Sequence, residues 1–174
     1  MRKLVFVALA ATWSLSTPTA SSSAQDPGWS DFSVHTHNDP FTDDASVFMI
    51  SHNSQPLYEK AVVVICTADY MGVALGDGVP RIGPMVDVTY RFDNNSAVET
   101  RGEAAAQRAQ VNIFEPSVFT SFLEGLKRST RLRFRLENGA VQDIALTGST
   151  AAAREFADGC QQLNPNMPDL NTGN

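Results

Sequence analysis

Met85-Val86-Asp87-Val88-Thr89-Tyr90-Arg91-Phe92-Asp93 alternates without a break: Val86, Val88, Tyr90 and Phe92 fall on one side, and Asp87, Thr89, Arg91 and Asp93 on the other. Strict period two, built from β-branched and aromatic residues, describes a strand with one face in a core and one in water. Asn94-Asn95 then turns the chain towards further strands near Ala97–Glu103 and Arg108–Phe114. Upstream, Trp29–His37, Ser46–Ser51, Ala61–Cys66 and Tyr70–Leu75 are short β-rich runs, divided by Asn53-Ser54-Gln55-Pro56, by Asp69 and by the turn Gly76-Asp77-Gly78-Val79-Pro80.

Downstream the period changes. Pro116 suits the first turn of a helix, where its missing N–H has no partner to lose. Val118, Phe119, Phe122, Leu123 and Leu126 then share one side, with Lys127 and Arg128 at the negative end of the dipole, which predicts a helix over 116–127. A second helix is expected over 150–159, capped by Ser149 or Thr150, with Ala152, Ala153, Phe156, Ala157 and Cys160 as its apolar stripe and Gly159 loosening its end. Between the helices lies a hairpin whose register follows from its pattern. A two-residue Asn138-Gly139 loop would set Phe134 against Asp143. A three-residue loop, Glu137-Asn138-Gly139, opposes Leu132 to Ile144 and Arg133 to Asp143, and is expected with Gly139 left-handed. The sum is an α+β domain: a mostly antiparallel sheet of six to eight strands packed by two helices.

The first 24 residues read as an export leader. Arg2 and Lys3 begin it, Leu4 to Leu15 form a short apolar run, and Ser22-Ser23-Ala24 offers a cleavage site before Gln25. The run is too short for a membrane span, and no later run is longer. Residues 25–28 read as a linker, 29–160 as one domain, and 161–174, with two prolines and four asparagines, as a disordered tail. The expected location is periplasmic or secreted. Across the chain, 13 basic side chains face 19 acidic ones, giving a net charge of −6, which argues against general nucleic-acid affinity.

Cys66 and Cys160 both belong to the exported part, where oxidation is allowed, and each is expected to point inward. One bridge between them would contribute roughly 4–5 kcal/mol in the loop-entropy model. The rival is a pair of buried thiols.

Two residue groups have chemistry to offer. Arg131, Arg133 and Arg135, preceded by Lys127 and Arg128, concentrate five positive charges in an acidic chain, and guanidinium groups on one strand face suit carboxylate, phosphate or an acidic protein surface. The plain alternative is a solvated strand neutralised by Asp143. His35, His37 and Asp39 share one strand face by their spacing, and with His52 they would offer four ligands to a divalent metal; a solvated face that happens to carry histidines is the competing reading. Asp39–Asp44 lacks the Gly and Glu of a calcium loop. The chain has no Gly-x-Ser-x-Gly and no His-Glu-x-x-His, and Asp87, Asp93, Glu99 and Glu103 are ordinary strand carboxylates unless space pairs them. No enzymatic activity and no cofactor are expected.

The order Val86–Asp93, Phe-rich helix, Leu132–Leu136, Leu146-Thr147-Gly148 and terminal Cys160 resembles a group of proteobacterial exported proteins related to the VasI-type accessory component of type VI secretion and to invasion-associated locus B proteins. The resemblance spans about residues 29–160. It implies an envelope-associated accessory or binding protein, with an envelope protein or anionic ligand as partner.

Overall fold

The computed structural model describes residues 31–51, 61–81, 83–105, 109–137, 139–165 and 170. The stretches expected to be a leader and a linker, and Trp29, His52, Arg108 and Asn138, lie outside them.

Among the described residues the elements run β1 (Phe32–Asn38), β2 (Ala45–Ser51), β3 (Val62–Thr67), β4 (Met71–Gly76), β5 (Met85–Phe92), β6 (Val98–Ala104), β7 (Gln110–Ile113), α1 (Pro116–Arg128), β8 (Arg131–Leu136), β9 (Gln142–Ala145) and α2 (Ser149–Leu163). The strands form one antiparallel sheet in the order β1-β2-β3-β4-β7-β6-β5-β8-β9. Nine strands exceed the expected six to eight because every β-rich run of the sequence is paired. The two ends of the sheet approach each other: the Asp31 N–H just before β1 donates to the Thr147 carbonyl just after β9 at 2.9 Å.

Both helices pack on one face. On that face β5 presents Val86, Val88, Tyr90 and Phe92, all buried, as its alternation requires. Tyr90, Phe92 and Phe122 stack edge to face with centroids 5.1–6.0 Å apart, which fixes α1 over β5. Gly125 makes the approach possible, since a Cβ there would lie 2.2 Å from the Phe92 ring. α2 covers β1–β3, placing Ala153, Phe156 and Ala157 in the core. Cys160 and Cys66 complete that contact as a disulfide with Cα atoms 5.6 Å apart, which excludes the pair of free thiols.

Four local expectations need correction. Ser149 and Thr150 do not cap α2: Gly148 holds the N-cap position, and their hydroxyls donate to the Leu126 and Lys127 carbonyls at 2.6 and 2.7 Å. They satisfy carbonyls that α1 leaves unpaired at its C-terminus, and so weld one helix to the other. The β8–β9 register is the expected one, with Leu132 opposite Ile144 and Arg133 opposite Asp143, but among the described residues of the loop Glu137, at φ 51°, is the left-handed one. Gly139 is required for space instead, because a Cβ would sit 2.9 Å from the Leu136 carbonyl and 3.1 Å from the Asp77 carboxylate. Gly159 lies inside α2, which continues to Leu163, so the ordered chain enters the stretch expected to be a disordered tail. Leu170 is buried in the core as well, and its carbonyl accepts a hydrogen bond from Lys127 Nζ.

Asp93 turns the chain out of β5 at φ 47°. Its carboxylate accepts from the Thr130 hydroxyl and from the N–H groups of Thr130 and Arg131 at 2.9–3.1 Å, tying the end of β5 to the start of β8. These bonds, the Thr130 hydroxyl foremost, hold its pKa below the ordinary 3.8. A depressed folded pKa stabilises the fold fully above the ordinary value, and the contribution disappears as pH falls through the folded one. Asp93→Asn keeps a residue tolerant of the left-handed region, so it isolates the charge. The variant is expected to melt below the parent at about pH 7, with the gap narrowing as pH falls below the ordinary 3.8 in a calorimetric pH series; a gap constant over that range would contradict the assignment.

Candidate functional site

The outer face of the sheet, away from the helices, has two characters. Over β2 and β3 it carries Phe48, Ile50, Val63 and Ile65, all half-buried. Over β5, β6, β8 and β9 it is charged, because the residues opposite the core positions of these strands are Asp87, Arg91, Glu99, Arg101, Arg131, Arg133, Arg135 and Asp143.

Strand order decides how these charges meet. β8 pairs with β5, setting Arg91 directly opposite Arg133 and Thr89 opposite Arg135. Like charges placed opposite each other on a sheet are unfavourable unless something neutralises them. Asp143 answers part of this: one oxygen accepts from Arg133 Nε, and the other forms an ion pair with Arg131 Nε, each at 3.1 Å. Arg91 and Arg135 are exposed, and among the described residues neither has an ion-pair partner. Arg91, Arg133 and Arg135 border a cleft of about 220 Å³ whose rim includes Ala97 and Val141. Tyr90 is also among its lining residues, but its ring points into the core against Phe122, where burial, with the charge of Glu115 adding to it, pushes the phenol above its ordinary pKa and keeps it neutral.

Thr89 and Arg135 also border a second cavity of about 880 Å³, shared with Asp87, Glu99, Arg101 and Glu137. Arg101 Nε lies 2.8 Å from Asp87 Oδ1, and this hydrogen bond raises the Arg101 pKa. Glu99 and Glu137 have no ion-pair partner among the described residues.

The expected five-charge cluster is divided. Arg131, Arg133 and Arg135 share the outer face, but Lys127 and Arg128 belong to α1 in the opposite layer. The Lys127 side chain is only 7% exposed and is held by Glu124 at 2.9 Å and by the Leu170 carbonyl, while Arg128 pairs with Glu124 at 3.4 Å. Helical periodicity carried both side chains round to the helix layer, so neither joins the sheet arginines. The missing member of the cluster is Arg91. Its outward direction is legible in the alternation of β5, but its neighbours depend on the β5–β8 pairing, which no local pattern encodes.

The histidine group does not assemble as a metal centre among the described residues. His35 and His37 do share the outer face of edge strand β1, where His35 Nε2 lies 2.7 Å from Ser33 Oγ. Asp39 is past the strand end, where its Oδ1 accepts from the Phe41 and Thr42 N–H groups at 2.8 and 3.3 Å and shapes the β1–β2 turn. His37 and Asp39 border a cavity of about 280 Å³ with Asp44 and Asp69. No three His, Cys, Asp or Glu side chains among the described residues are grouped so as to hold one ion.

No helix among the described residues is long and apolar enough to cross a membrane. No protein-family model matches the chain, and comparison with curated proteins and with solved structures gives no match either.

Proposed function

We propose that this chain is an exported accessory or binding protein of the bacterial envelope that recognises an anionic partner through the arginines of β5 and β8. The observation that carries the reading is the juxtaposition of Arg91, Arg133 and Arg135 around one cleft, with Arg91 and Arg135 lacking a counter-ion among the described residues. The cost of the patch is local, since Arg91 and Arg133 face each other across the β5–β8 pair, and an acidic side chain at either position would remove that repulsion. Guanidinium forks suit carboxylate and phosphate groups, and unpaired arginines are enriched at recognition surfaces. The Cys66–Cys160 disulfide supports an oxidising compartment, periplasmic or extracellular, in agreement with the leader.

A carboxylated resin at low salt tests the patch directly. An acidic protein is repelled by such a matrix unless a local cationic surface overcomes its net charge, and salt then screens the attraction. The parent chain is expected to be retained and released by salt. Arg91→Ser/Arg133→Ser/Arg135→Ser is expected to flow through, with a melting temperature within about 4 °C of the parent, because the three side chains are solvent-facing. Equal retention of both proteins would place the anion site elsewhere.

A further inference from the structure

The arginine cleft and the acidic cavity are continuous in their lining: Thr89 and Arg135 belong to both. In register, Glu99, Thr89 and Arg135 form one row across β6, β5 and β8, with Arg91 and Arg133 in the row on one side. On the other side the Glu137 N–H bonds the Asp87 carbonyl at 2.7 Å, setting Glu137 beside the Asp87–Arg101 pair. Charge therefore changes sign along the strands, from Arg91 and Arg133 through Arg135 to Glu137, with Glu99 flanking the middle. From Arg135 to Glu137 is two residues and from Arg133 to Glu137 four, or roughly 7–13 Å along a strand.

An anion alone would use one end of this surface and would be repelled by the other. We propose that the ligand is dipolar: a short extended peptide of about two to four residues with both termini free, its carboxylate on Arg91 and Arg135 and its ammonium on Glu99 and Glu137. An extended chain of that length places its terminal charges at the separation the two ends of the surface offer. The apolar rim of Ala97 and Val141 sets small aliphatic side chains beside the carboxylate end.

This inference rests on the arginine surface being an anion site, and the experiment separates the two. The full exported chain is titrated with trialanine carrying free termini, with its C-terminal amide and with its N-acetyl form, following backbone amide shifts. The free peptide is expected to bind with shifts centred on Thr89, Arg91 and Arg135. Amidation and acetylation are each expected to weaken binding by about tenfold or more, the effect of one charge-assisted hydrogen bond lost. Glu99→Gln/Glu137→Gln is expected to bind the free and acetylated peptides equally, so the ammonium preference is read within one folded protein. If amidation weakens binding but acetylation does not, the dipolar ligand is wrong and the anion site stands. Failure of all three peptides to bind overturns both.

Discussion

Cys66→Ala with Cys160→Ala is expected to cost the fold about 4–5 kcal/mol. The two sulfurs close a loop across 94 residues, so the bridge removes a great deal of freedom from the unfolded chain. It also joins α2 to β3, the strand of the three with which the helix has least other contact. α2 is the last element among the described residues, packs on the sheet mainly over β1–β3, and buries three alanines, one phenylalanine and Ser149 besides its cysteine, with Leu163 partly buried. Small side chains bury little apolar area each, so the covalent link carries an unusual share of the docking. Urea unfolding of the parent and the double alanine variant measures the difference, and a loss under about 1 kcal/mol would show that the helix holds its place without the bridge.

Arg81→Met is expected to destabilise by about 3–5 kcal/mol, because it leaves a buried carboxylate with no counter-charge. Asp77 and Arg81 side chains are only 1% and 6% exposed, and the pair is bidentate at 2.8 and 2.5 Å. Arg81 also donates to the Val79 carbonyl at 2.8 Å and to the Leu136 carbonyl at 3.4 Å, so it clamps the β4–β5 turn against the β8–β9 hairpin. Hydrogen bonding to Asp77 raises the Arg81 pKa, which keeps the guanidinium charged through any accessible pH. The cost belongs to the broken pair more than to the intact one. Asp77→Asn/Arg81→Met is therefore expected to recover more than half of the single-variant loss, and a double variant no more stable than Arg81→Met would contradict this.

How much of this was legible in the sequence depends on how far each contact reaches. The Met85–Asp93 alternation, the α1 stripe and the β8–β9 register are local, and each is realised in the structure because side-chain period and turn length determine them. The disulfide was legible for a different reason, since two cysteines that both point inward have one possible bridge. What local pattern could not supply is the partner of each strand. β5 is followed by β6 in the chain, but its other neighbour is β8, so Arg91 lies among the β8 arginines although some forty positions separate them, as loop-closure entropy permits. The same limit hid the Asp77–Arg81 clamp, whose residues read as an ordinary turn, and the hydroxyls of Ser149 and Thr150, which read as caps until α1 was placed beside them. Lys127 and Arg128 lie apart from the sheet arginines because adjacency in sequence to a strand says nothing about the layer in which a helix end lies.

The arginine side-chain Nε–H resonances, titrated with acetate, test most directly whether strand order builds one anion site from β5 and β8. Arg91 and Arg135 should move together along a single binding curve, while Arg101, held by Asp87, and Arg154, on the helix layer, stay in place. Shifts of Arg91 and Arg135 no larger than those of Arg154, or two unrelated curves, would contradict the site.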